Sequence, residues 1–301
     1  MSQTNLDSAL QAIAEKVLPA SKLVRHWPLA GGVSAQITAF EVAQAGGRST
    51  VMVMRSHGAH EWKPQEEDVT TMEFALLNTL SMAGIPVPEP LFLDSTCTIL
   101  PAPFYVMEMV EGTTVIAVSH LRSAMDQMAD FLVQLHALNI NMAEGVALPH
   151  REDPVAGALE YIPNSSKWAP LRAVIDGWEI SPVDDSILHG DFWPGNILWN
   201  QGHLSAVIDW EDAAIGTAVS DIACARVELM VMYGESTMEQ FSRRYLTASG
   251  LEITDLPLWE IYSGFAALAH MSDWGLATEV EAVRREQTTI FVNRACSEII
   301  A

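Results

Sequence analysis

Within residues 189–210, HGDFWPGNILWNQGHLSAVIDW, three side chains have the types and spacing for metal-assisted chemistry: Asp191, Asn196 and Asp209. Asn196 and Asp209 offer oxygen ligands, which suit a hard cation such as Mg2+. Asp191 precedes Asn196 across a loop that contains Pro194 and Gly195, so it can stand near such a cation without ligating it. One aspartate beside a metal-binding Asn/Asp pair is the arrangement that phosphoryl transfer needs. The metal bridges phosphate oxygens, and the extra carboxylate orients an attacking hydroxyl and accepts its proton. A bare H-x-D-x4-N pattern is only moderately specific; followed by a hairpin and IDW it is much more so.

The elements that must position these residues are legible nearby. NILW and LSAVID are strand-like, and NQGH between them supplies a turn with Asn and Gly. Folded as a hairpin, Asn196 opens the first strand and Asp209 closes the second, at the same open end. Upstream, QITAFEV and TVMVMRS read as two short strands joined by AQAGGR. In the second of these, the two-residue period sets Arg55 on one face with Val51 and Val53. The helix predicted over EEDVTTMEFALLNTLSMAG places Glu73 inside its apolar stripe of Val69, Met72, Leu76 and Leu80. A buried cation and a buried carboxylate each need an opposite charge, and Arg55 and Glu73 can supply it to one another. Gly31, Gly32 and Ser34, between two apolar runs, would allow a phosphate to approach the backbone closely.

Composition bounds the rest. The chain has 301 residues, enough for one large domain or two lobes, and 49% are hydrophobic, which supports a sizeable core. No apolar run approaches the ~20 residues of a membrane helix. The first 20 residues read as an amphipathic helix rather than a signal peptide. Three scattered cysteines, Cys97, Cys224 and Cys296, form neither a CxxC pair nor a disulfide framework, which fits a reducing cytoplasm. The net charge of −22 is uneven: residues 1–110 hold 6 Lys and Arg against 11 Asp and Glu, and residues 111–301 hold 10 against 27. Such an acidic chain is a poor partner for nucleic acid. Its second half suits a cationic small molecule, with solubility as the plainer explanation. A strand-rich part over residues 1–110 is expected, then an α-rich part over residues 111–301, with Gly112 as the candidate hinge.

In order, the Gly-rich turn, strand cation, helix glutamate, YVMEMVEG, LHAL, HGDFWPGN, VIDWEDA and GTAVSD resemble the aminoglycoside phosphotransferase family, the small-molecule branch of the protein-kinase-like fold. The resemblance spans about residues 20 to 225. It implies an α+β, bilobal fold with a small β-sheet N-lobe that binds nucleotide and a large α-helical C-lobe with the acceptor pocket. It implies an Mg2+-dependent kinase that uses ATP or GTP on the hydroxyl of a small molecule. Asp191 then resembles the catalytic base, and Asn196 and Asp209 the Mg2+ ligands. Arg55 stands where the family usually has a phosphate-contacting Lys, with Glu73 as its partner. Gly32 and Ser34 belong to the Gly-rich turn. Met107 looks like the residue behind the purine, and the backbone of Glu108 and Val110 like the hinge that pairs with its edge. His189 would brace the catalytic loop, Asp221 resembles a structural acid, and Glu211 would add negative charge near the metal. The aromatic residues Trp259, Tyr262 and Phe265 are candidates for core or for an acceptor pocket wall. Two other readings stay open at this stage: a non-catalytic nucleotide-binding module, and a metal-dependent phosphohydrolase with His189, Asp191 and Asp209 as ligands.

Overall fold

The computed structural model describes residues 3–29, 35–57, 69–251 and 253–300. Gly31, Gly32 and Ser34 lie outside them. The chain divides into two compact units: residues 1–111 with 145–147 and 205–211, and residues 112–144, 148–204 and 212–301. No helix among the described residues is long and apolar enough to cross a membrane.

The first unit holds α1 (Gln3–Val17), β1 (Lys22–Pro28), β2 (Ala35–Ala43), β3 (Ser49–His57), α2 (Val69–Met82), β4 (Pro90–Asp94) and β5 (Phe104–Glu108). The strands form one antiparallel sheet in the order β1-β2-β3-β5-β4. Strand alternation gives this sheet two different faces. Phe40, Val42, Met52, Met54, Phe104 and Val106 pack with Leu10 and Ile13 of α1 into one apolar cluster. The intervening residues include Arg55 and its register partner Tyr105. This second face carries charge: Arg55 of β3 reaches Glu73 of α2, and the Tyr105 ring lies 6.3 Å from that of Phe74.

The second unit is mainly helical: α3 (Leu121–His136), α4 (Pro154–Tyr161), α5 (Ala169–Asp176), and, after four short strands, α6 (Val219–Tyr233), α7 (Glu235–Ser249), α8 (Leu256–His270) and α9 (Thr278–Ile300). The strands are β6 (Ser186–Leu188), β7 (Ile197–Asn200), β8 (His203–Val207) and β9 (Ala214–Gly216). Strands β6 and β9 pair antiparallel, β7 pairs with β8, and the chain passes into the first unit within β8. Thr113 exchanges two backbone hydrogen bonds with Trp199 of β7, and Gly112 beside it is in close contact: a Cβ there would lie 3.0 Å from that of Leu198. Trp259, Tyr262 and Phe265 of α8 belong to a buried cluster with Ala158, Leu171, Ala223 and Val292, so they are core.

The hairpin is shorter than its sequence suggests. Asn196 lies in a 3-10 turn, Pro194–Asn196, just before β7, and Asp209 lies beyond the end of β8 at φ +68°. Within YIPNSSKWAPLRAVIDGWEI, α4 ends at Tyr161 and α5 begins at Ala169, because Pro163 and the polar run after it interrupt the helix.

Candidate active site

Arg55 is only 3% exposed, and its guanidinium is ringed by acids of its own unit. Its Nε lies 3.2 Å from Glu73 Oε2, and its Nη2 lies 2.5 Å from Asp209 Oδ1 and 3.1 Å from Glu211 Oε2. Burial opposes its charge, but Glu73, Tyr105, Asp209 and Glu211 outweigh burial and raise its pKa above the ordinary arginine value. Arg55 is therefore a fixed cation. Glu73 also accepts the backbone N–H of Trp210 at 3.1 Å and the Tyr105 hydroxyl at 3.4 Å. One glutamate of α2 thus ties together β3, β5 and the segment that carries Asp209. Burial, then the charge of Glu73, pushes the Tyr105 hydroxyl well above its usual value, so it stays a donor.

The base candidate lies in the second unit. Asp191 follows β6 in a loop held from behind by Asp221 of α6. The buried Asp221 carboxylate accepts the backbone N–H of His189 at 2.8 Å and of Gly190 at 2.9 Å. His136 of α3 stands 3.2 Å from the same carboxylate and bonds the Tyr245 hydroxyl through its other ring nitrogen. Burial alone would raise the Asp221 pKa; the hydrogen bond and charge of His136, and then His189, overcome it and lower it. The buried His189 ring accepts the Asp191 N–H at its Nδ1, 3.2 Å away, and packs edge-on to Phe192. The Asp191 carboxylate is then aimed by Asn196, whose Nδ2 donates to Asp191 O at 2.9 Å and to Oδ2 at 3.0 Å.

Two glycines allow close approach in this loop. Gly190 has φ +85°, and a Cβ there would sit 1.8 Å from the Asp212 carbonyl oxygen. At Gly195 a Cβ would fall 2.2 Å from the ring of Trp193, which packs against the loop itself.

Asn196 and Asp209, each taken within its own unit, carry oxygen donors of the type a hard divalent cation takes. The acidic carboxylate of Asp191 fixes which end of the Asn196 amide is the donor, so its Oδ1 remains as an oxygen ligand. Asp209 is 25% exposed at its side chain and already faces a positive charge, Arg55. Carboxylate and amide oxygens are ligands that Mg2+ takes. Of the other expected site residues, Met107 and Val110 are half-buried and Glu108 is exposed, with its N–H donated to the Glu89 carbonyl at 2.9 Å.

Sequence reasoning missed Cys224. Its thiol on α6 lies 3.8 Å from Asp191 Oδ1, opposite the Asn196 contact. Burial and the negative charges of Asp191 and Asp221 push this thiol well above its usual value and keep it protonated. The available signal was its spacing, three residues after Asp221 on one helix, which puts both on one face.

Residues 27–263 match the phosphotransferase enzyme family. The chain belongs to this family of small-molecule phosphotransferases. Its fold is that of the solved members. It superimposes on the GDP complex of aminoglycoside 2'-phosphotransferase-IIIa with a TM-score of 0.66 at 16% identity, covering 98% of this chain and 99% of that one. With macrolide 2'-phosphotransferase type I the TM-score is 0.65 at 18% identity, covering 96% and 98%. In sequence it is 27% identical to acyl-CoA dehydrogenase family member 11 of Pongo abelii over 69% of this chain. The match spans only 30% of that longer protein. The protein-kinase-like α+β fold expected from the motifs is thus the one observed.

Proposed function

We propose that the chain is an Mg2+-dependent O-phosphotransferase that moves the γ-phosphoryl group of ATP or GTP to a hydroxyl of a small molecule, in the cytoplasm. The observation that carries this reading is the aimed carboxylate of Asp191, held at one oxygen by Asn196 in a loop anchored by Asp221. A base must be held in one geometry to accept a proton as the acceptor oxygen attacks.

In this reading Asp191 orients the acceptor hydroxyl and takes its proton. The acceptor oxygen forms its bond to the γ-phosphorus as the bond to the bridging oxygen breaks, and the nucleoside diphosphate leaves with that electron pair. Asn196 and Asp209 would hold Mg2+. The metal, when bound, offsets the charge of the phosphate oxygens. Arg55, oriented by Glu73, contacts the donor phosphates. Met107, with the backbone of Glu108 and Val110, receives the purine. A nucleotide donor is supported by the GDP and the AMP-PNP in similar aminoglycoside enzymes. The acceptor class is a hydroxylated small molecule; the acidic second half favours a neutral or cationic one, as the names aminoglycoside and macrolide of the similar structures also suggest.

The test is Asp191→Asn. It should keep nucleotide affinity within about threefold and lower transfer by roughly 10²–10⁴-fold, the usual contribution of a general base. Retained turnover would remove Asp191 from its role.

A further inference from the structure

Arg151 of the second unit has donors to spare. Its Nε is buried without a hydrogen-bond partner, and among the described residues its guanidinium forms no hydrogen bond or ion pair. Two acids follow it in the chain, and both are engaged elsewhere. Glu152 accepts the Tyr262 hydroxyl at 3.1 Å, and Asp153 caps α4 by accepting the Val155 N–H at 2.8 Å. Other arginines of this unit that are withdrawn from solvent are bonded: Arg226 to Glu260, Arg284 to Glu228, and Arg172 to the carbonyls of Leu159 and Ile162. Withdrawing a charge from water without pairing it is costly. In a chain of net charge −22, a half-buried arginine without an acid is therefore a cation placed for a partner from outside the chain.

The fold holds Arg151 beside the strand that leads into the Asp191 loop. Its backbone N–H donates to Ile215 O of β9 at 2.8 Å, and Ile215 pairs with Ile187 of β6. Its stem lies against Gly216: a Cβ there would fall 2.8 Å from the Arg151 Cβ and 3.2 Å from Leu188 Cδ1. Its guanidinium carbon lies over the Tyr262 ring, 6.0 Å from the ring centre, which steadies the group without consuming its N–H donors. That ring is itself fixed by its hydrogen bond to Glu152 and by stacking with Tyr161. The charge of Arg151 also reaches the loop. Burial and then Asp191 raise the pKa of Cys224, whose thiol is 3.8 Å from Asp191 Oδ1, and Arg151 opposes them.

Resting on the phosphotransferase reading above, we infer that Arg151 binds an oxyanion of the acceptor: the molecule that offers its hydroxyl to Asp191 also carries a carboxylate or phosphate group. A guanidinium steadied on an aromatic face, with its N–H groups unbonded, matches such a group through two parallel hydrogen bonds. The acidic charge of the second half acts at long range and is screened beyond about 8 Å at physiological salt, whereas Arg151 acts at contact. The rest of the acceptor can still be neutral or cationic.

The test is transfer of radiolabelled γ-phosphate from ATP and from GTP, with Mg2+, to matched acceptors: hydroxy acids each paired with the neutral amide, and glycerol 3-phosphate paired with glycerol. The intact chain is compared with Arg151→Gln and Arg151→Lys, with melting temperatures measured alongside. In at least one pair the wild-type chain should favour the anionic member in kcat/KM by about tenfold or more, the scale of one charge-assisted pair. The pair that responds tells a carboxylate from a phosphate. Arg151→Gln should lower that preference by about tenfold or more, through a higher KM for the anionic member, and Arg151→Lys should restore part of it because the charge remains. An unchanged preference in Arg151→Gln would overturn the inference. So would an equal loss for both members with a lower melting temperature, which would make Arg151 a structural residue only. Equal or better use of the neutral member in every pair would overturn it and leave the phosphotransferase reading standing. No labelled product with any acceptor, neutral or anionic, would overturn both.

Discussion

At the scale of single residues, the Asp191 loop depends on what is missing from a side chain as much as on what is present. Gly190 combines φ +85° with a Cβ position 1.8 Å from the Asp212 carbonyl oxygen, and that backbone atom cannot move aside cheaply. Gly190→Ala should therefore destabilise the fold by about 3 kcal/mol or more, from left-handed strain and overpacking together. That corresponds to a fall in melting temperature of roughly 6 °C or more, read by calorimetry. A melting temperature within 2 °C of wild type would mean that the loop can rearrange around the added methyl group. The types of the site residues could be read from the sequence at this scale: Asp191, Asn196, Asp209, Arg55 and Glu73 are chemically conspicuous, and the Arg55–Glu73 pairing followed from two apolar stripes that each contained one charge. The contacts of Cys224, Tyr105 and His136 could not be read so easily, because each is a common core residue type whose partner is distant in the chain.

At the scale of elements, α6 works as the template for the loop. Asp221 in its first turn takes two loop N–H groups, and Cys224 one turn later meets the Asp191 carboxylate. The Asp221 pKa is lowered on folding, so this group adds stability above the ordinary carboxylate range, and the contribution is lost as pH falls through the lowered folded value. Unfolding measured between about pH 5 and pH 2 should thus show stability declining with acid, and Asp221→Asn should flatten part of that decline. The same variant should cost roughly 2–4 kcal/mol at neutral pH, because buried N–H donors lose an ionised acceptor. An identical acid limb in wild type and variant would show that Asp221 does not carry this dependence. Strand and helix periodicity located β2, β3 and α2, whose apolar stripes are long enough to be read. The short β6 and β9 were not legible, since three residues hold no periodic signal. The ends of the hairpin shifted because Pro194 tightens the chain into a turn before β7.

At the scale of the whole molecule, the charge of −22 on 301 residues makes self-repulsion a general term that opposes compaction. Salt shortens the range of that repulsion to about 8 Å at physiological ionic strength. The melting temperature should rise when NaCl is increased from near zero to about 0.15 M, and a fall would mean that exposed ion pairs such as Arg244–Asp130 outweigh the net repulsion. The family match, over residues 27–263, makes the chain a member of the phosphotransferase enzyme family.

The most direct measurement is transfer of label from ATP or GTP, radiolabelled at the γ-phosphate, into a panel of hydroxylated small molecules with Mg2+, comparing the wild-type chain with Asp191→Asn. The account predicts a labelled small-molecule product from the wild-type chain with at least one nucleotide, dependent on Mg2+ and nearly absent with the variant. Equal labelling by wild type and Asp191→Asn, or release of free phosphate alone with every acceptor, would contradict it.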